Sequence, residues 1–81
     1  MLTIKELGSG CANCKRVEQI ARKVIADMGI EAEVIKVTDY NDIMSYNILS
    51  TPGLVINEEL KSAGRIPKKD EVIKWLRGVM N

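Results

Sequence analysis

The sequence predicts an α/β domain, with a four-stranded mixed sheet and three helices in the order β-α-β-α-β-β-α. Three observations predict it. Short β-branched or alternating runs exchange with segments of helical periodicity along the first half of the chain. Two strand-like runs then follow one another with only a turn between them, which makes a hairpin. Finally, the 81 residues contain no repeat, low-complexity stretch or linker, so one continuous domain over residues 1–81 is expected.

Leu2-Thr3-Ile4-Lys5-Glu6-Leu7 is a short, partly alternating strand closed by the break Gly8-Ser9-Gly10. From Cys14 onward, Val17, Ile20, Ala21, Val24, Ile25 and Met28 share one helix face, and Gly29 supplies the stop. Glu18 precedes Arg22 by four residues on the opposite face, the favourable order for a solvated ion pair. Glu31 to Val37 is a second strand ending at Thr38-Asp39, which can cap a short helix carrying the apolar positions Tyr40, Ile43 and Met44. Ser50-Thr51-Pro52-Gly53 breaks the chain. Leu54-Val55-Ile56, the turn Asn57-Glu58-Glu59 and Leu60-Lys61-Ser62-Ala63 read as the hairpin. Gly64 ends it, Pro67 suits a helix start, and Val72, Trp75, Leu76 and Val79 form the last apolar face. Trp75 and the methionines read as packing residues, and Arg65, Lys68 and Lys69 as a solvated helix start. Helices carry the first two connections, both of parallel type, so helices should cover the sheet on both faces.

Composition narrows the chemistry. Lys and Arg number 12 against 11 Asp and Glu, a formal charge of +1, which leaves no basic surplus for nucleic acid or an anionic membrane. No apolar stretch approaches the roughly 20 residues that span a bilayer, and the first six residues lack the basic-then-apolar pattern of a secretory leader. A soluble, cytoplasmic, monomeric protein is expected. With no histidine, Ser–His, Cys–His and His-ligated metal chemistry are absent, leaving the two cysteines, Cys11 and Cys14. A link between residues three apart closes a loop too small to stabilise the fold much, so the pair points to chemistry or metal rather than to a staple.

Cys11-Ala12-Asn13-Cys14 sits where a strand and glycine loop give way to a helix. Unpaired backbone N–H groups and the macrodipole at a helix N-terminus favour a negative sulfur, so Cys11 is placed to be a thiolate nucleophile. The i, i+3 spacing puts Cys14 beside it as the resolving thiol of a reversible disulfide. The roles imply a disulfide-containing protein substrate and a reductase that resets the pair, with no cofactor. A soft-metal site is the alternative: Gly8-x-x-Cys11-x-Asn13-Cys14 is similar to heavy-metal-associated domains that hold copper(I) between two thiolates. Those domains usually carry Met where Ser9 stands and end on a strand rather than a helix. Tetrahedral zinc would need four ligands, twice what these cysteines supply. An inert interaction module is the third reading.

The strand, Gly8-Ser9-Gly10-Cys11-Ala12-Asn13-Cys14, the long helix, the element order and Thr51-Pro52-Gly53 before the hairpin resemble the minimal thioredoxin/glutaredoxin fold over essentially the whole chain. The nearest resemblance is to the small archaeal and bacterial thioredoxin-like group also called redox-active disulfide protein 2. The resemblance implies a thiol–disulfide oxidoreductase of cell redox homeostasis and electron transport, with a Cys11–Cys14 redox-active disulfide. It further implies that Pro52 is a cis-proline abutting the disulfide, that Thr51 offers its backbone to an extended substrate, and that Gly64 matches the glycine before the last helix. The chain departs from ordinary thioredoxin in three places. Gly10 stands where Trp precedes the first Cys, Ala12-Asn13 replaces Gly-Pro, and Lys5-Glu6 occupies the region of the buried Asp, leaving no residue assigned as base for Cys14.

Overall fold

The computed structural model describes residues 2–8, 12–48 and 50–80. Its elements are β1 (Leu2–Leu7), α1 (Ala12–Met28), β2 (Ala32–Val37), α2 (Tyr40–Met44), β3 (Gly53–Ile56), β4 (Glu59–Ala63) and α3 (Lys69–Met80), in the predicted β-α-β-α-β-β-α order. The strands form one mixed sheet ordered β2-β1-β3-β4.

The long α1 carries the chain back along the sheet, so β2 lies parallel to β1, with Leu2 opposite Ala32 and Leu7 opposite Val37. The second connection differs from the expectation: β3 runs antiparallel to β1. The connection through α2 leaves and re-enters the sheet at one end, since Leu7 stands opposite both Val37, the last residue of β2, and Gly53, the first of β3.

Strand alternation sends side chains to two layers. On one face Ile4, Leu54 and Ile56 meet Val17, Ala21 and Val24 of α1 and Val72 and Leu76 of α3. On the other, Leu7 and Val55 meet Ile43 and Ile48. Trp75 packs against the first cluster, as its spacing predicts. Tyr40 and Met44 do not follow their expected burial; they are 72% and 42% exposed. One helical turn offers a single inward position, which Ile43 fills.

The hairpin turn is tighter than the sequence suggests. Only Asn57 and Glu58 lie between the strands, both at positive φ, the geometry that matches strand twist in a two-residue loop. Asn57 exchanges hydrogen bonds with Thr3, its N–H donating to Thr3 O at 2.8 Å and its Oδ1 accepting from Thr3 N at 3.0 Å. Glu58 is tied to the Lys5 ammonium and to the Tyr46 hydroxyl. At α3, Glu71 reaches back to the Lys68 N–H at 3.0 Å and grips the Arg65 guanidinium at 2.9 and 2.8 Å. These contacts hold its carboxyl down at about 2. Lys69 pairs with Asp27 of α1 at 2.8 Å. Arg65, Lys68 and Lys69 are exposed, as a solvated helix start should be, and the side chains of Arg65 and Lys69 each hold an acidic partner.

Candidate functional site

Of the sequence-predicted site residues, Cys14, Thr51 and Pro52 converge on one end of the sheet. Cys14 lies in the first turn of α1, just beyond the C-terminal end of β1, and Pro52 immediately precedes β3. Because β1 and β3 are antiparallel with Leu7 opposite Gly53, Gly8 and Pro52 share that end. Cys11, the expected nucleophile, lies outside the described residues, as do Ser9 and Gly10.

Cys14 faces inward and is 1% exposed. Gly8 makes room for it: the Gly8 N–H continues the β1–β2 ladder by donating to Val37 O at 3.0 Å. A Cβ at Gly8 would overlap Cys14 Sγ and would stand 3.1 Å from Cys14 Cβ and 3.2 Å from Glu6 Oε1. Cys14 and the Glu6 carboxyl therefore flank the same methyl-sized space.

Glu6 is the residue that reading the sequence passed over. Its side chain is 1% exposed, and Oε1 has no hydrogen-bond partner among the described residues. Burial pushes its pKa up to about 7; the charge of Glu18 adds to the rise, and Lys36 opposes it. The signal was present in the strand alternation, since Glu6 falls on the same face as Leu2 and Ile4, toward α1. Where the sequence left no residue assigned as base for Cys14, a glutamate of β1 lies buried beside it.

Thr51 and Pro52 are joined by a cis peptide bond. Pro52 is buried and Thr51 exposed. The Pro52 carbonyl accepts from the Gly64 N–H at 2.8 Å. Gly64 adopts φ +74°, and a Cβ there would overlap Ser50 Oγ. Gly64→Ala should therefore cost about 1–2 kcal/mol through the left-handed backbone alone, with Ser50 displaced as well. Urea unfolding of the two proteins measures the loss, and equal midpoints would refute this account of Gly64. Thr51 also forms part of a cleft of about 340 Å³ whose other walls include Thr38, Tyr40, Met44 and Ile48. The two exposed apolar side chains of α2 thus border the loop that carries Pro52.

The arrangement pairs a buried sulfur with a buried proton-binding group and sets a cleft beside the same end of the sheet. Comparison with known proteins gives the family. The Thioredoxin domain family model matches residues 2–77. The chain is similar to a thioredoxin of Methanothermobacter thermautotrophicus, 38% identical over 76 residues that cover 94% of this chain and 99% of that protein. It is also similar to a thioredoxin of Methanocaldococcus jannaschii, 31% identical over 80 residues, or 99% of this chain and 92% of that protein. This small α/β protein belongs to the thioredoxin domain family.

Proposed function

We propose that the protein is a cytoplasmic thiol–disulfide oxidoreductase in which Cys11 is the nucleophile, Cys14 the resolving thiol, Glu6 the proton acceptor for Cys14, and Thr51-Pro52 one wall of the substrate groove. The observation that carries the reading is the buried Glu6 carboxyl beside Cys14, whose Oε1 has no hydrogen-bond partner among the described residues. A thiol attacks only as its thiolate, and a thiol as buried as Cys14 ionises poorly without a base at hand. Glu6, tuned to about 7, can take and return a proton near neutral pH.

The Cys11 thiolate attacks one sulfur of a substrate disulfide. A Cys11–substrate S–S bond forms, the substrate S–S bond breaks, and the first substrate thiolate leaves to be protonated by water. Cys14 passes its proton to the Glu6 carboxylate and attacks Cys11 Sγ. A Cys11–Cys14 bond forms, the mixed disulfide breaks, and the second substrate sulfur departs as a thiolate. The substrate gains two electrons, which the cysteine pair loses. A reduced dithiol on a reductase returns them by the reverse exchange, with the Glu6 proton going back to Cys14. The partners are accordingly a disulfide-bearing protein and a dithiol reductase, and no metal or organic cofactor takes part.

Titration against dithiothreitol should reveal one reversible two-electron couple. Cys11→Ser should abolish dithiothreitol-driven insulin reduction, whereas Cys14→Ser should accumulate the mixed disulfide, visible by mass spectrometry. A wild-type protein with no reversible couple overturns the reading.

A further inference from the structure

Glu6 lies in a cross-sheet row whose members can be followed outward. In the β1–β2 register it stands opposite Lys36 on the edge strand, and in the β1–β3 register opposite Leu54. Residues opposite one another share a face, so Lys36 projects to the α1 side with Glu6. The α1 helix contributes Cys14 and, one turn later, Glu18, whereas the residues that β3 and α3 bring to the core of this layer, Leu54, Val72 and Leu76 among them, are apolar. Among the described residues, the charged groups that bear on Glu6 are Lys36 and Glu18.

These two charges are bound to each other. Lys36 Nζ lies 3.5 Å from Glu18 Oε1, and Glu18 Oε2 accepts from Arg22 Nε at 2.9 Å. The Glu18 side chain is 18% exposed against 44% for Lys36 and 56% for Arg22, which places the carboxylate innermost of the three. Hydrogen bonding to Arg22 holds its pKa below the ordinary carboxylate range, so Glu18 stays negative wherever Glu6 titrates. Lys36 would be the natural counter-charge for an ionised Glu6, but Glu18 engages it.

We propose that Glu18 is a positioning residue for the Glu6 proton, competing with Glu6 for the Lys36 ammonium and thereby setting the pH at which the buried carboxyl ionises. This deepens the oxidoreductase reading and rests on it for its purpose: a carboxylate neutralised by Lys36 would bind protons too weakly to accept one from Cys14. The surface triad keeps the buried group poised.

The test is a carbon-13 carboxyl titration of Glu6 in the resting protein, with no substrate present. Glu18→Gln removes both the repulsion and the competitor, and should lower the Glu6 midpoint by about half a unit to one unit. Lys36→Gln should raise it by a similar amount, and Glu18→Asp should restore the wild-type value. Thermal unfolding of each variant is followed in parallel. If Glu18 merely fastens α1 to β2, the two glutamine variants lose stability alike and leave the Glu6 midpoint unmoved or shift it in the same direction, which overturns the proposal. A Glu18→Gln midpoint equal to or above wild type also overturns it. The titration needs no active cysteine pair, so a missing redox couple would refute the oxidoreductase reading without touching this result.

Discussion

Replacing Gly8 with alanine should lower the thermal midpoint by about 10–20 °C, the shift that a loss of about 2–3 kcal/mol produces in a domain of this size. The added methyl has nowhere to go. It would overlap Cys14 Sγ and press on Cys14 Cβ and Glu6 Oε1, all fully enclosed. Neither neighbour is the free end of a surface chain that can swing aside. Gly8 is also fixed by its own hydrogen bond to Val37 O, so the backbone cannot back away without breaking the β1–β2 ladder. Gly78 provides the internal control. It lies in α3 with no atom near its would-be Cβ, and alanine there should stabilise by about 0.5–1 kcal/mol through helix propensity. The same chemical change thus has opposite signs at the two sites. Differential scanning calorimetry of both variants decides the matter, and a Gly8→Ala midpoint within 2–3 °C of wild type, a shift of only about 0.5 kcal/mol, would mean that Gly8 is not where Cys14 is seated.

How far the sequence discloses this arrangement depends on which kind of information each feature needs. The strands and helices were legible because burial imposes its own period on the chain: Val17, Ala21 and Val24 mark the inner face of α1 whatever surrounds it. The direction of β3 was not legible by period, since it depends on the end at which the α2 connection meets the sheet. The shortness of α2 left Tyr40 and Met44 outside. For the site, the cysteine spacing and Thr51-Pro52 stand out as motifs, but Glu6 was read through its charge and its neighbour Lys5 rather than through its face. Adjacent residues on a strand have opposite fates. Lys5 turns to the α2 side, where it meets Tyr46 and Glu58, while Glu6 turns inward toward α1 and Cys14. Alternation identifies the face; only the packing of α1 over it shows that the carboxyl is buried.

Glu6→Gln should flatten the dependence of stability on pH between about 4.5 and 8, and the sign of the effect follows from linkage. In the unfolded chain the carboxyl ionises near its ordinary value of 4.5, whereas in the folded protein it holds its proton up to about 7. Below 4.5 both states are protonated and the group has no effect. Between those values the folded state binds more protons than the unfolded state, so stability falls as pH rises, by at most about 1.4 kcal/mol per pH unit. Above 7 both are ionised and the loss saturates at about 3 kcal/mol. The Arg65–Glu71 fork acts in the opposite sense and in a lower window: the Glu71 carboxyl is held down at about 2, so its contribution is lost only as pH falls from 4.5 toward 2. Glu71 therefore leaves the interval from pH 5 to 8, in which Glu6 titrates, undisturbed. Glutamine keeps the shape and the unpartnered polar atom of the protonated side chain but cannot ionise, so wild type and variant should have similar stability at pH 4.5 and diverge in favour of the variant by about 3 kcal/mol at pH 8. Urea unfolding across the pH series measures this, and curves that stay parallel would show that Glu6 is already ionised in the folded state at neutral pH. The same substitution should remove the inflection near pH 7 from the rate at which Cys14 resolves a mixed disulfide, because the thiol has lost its acceptor. A more stable protein that resolves more slowly is the expected outcome of a buried acid retained for proton transfer at the expense of the fold.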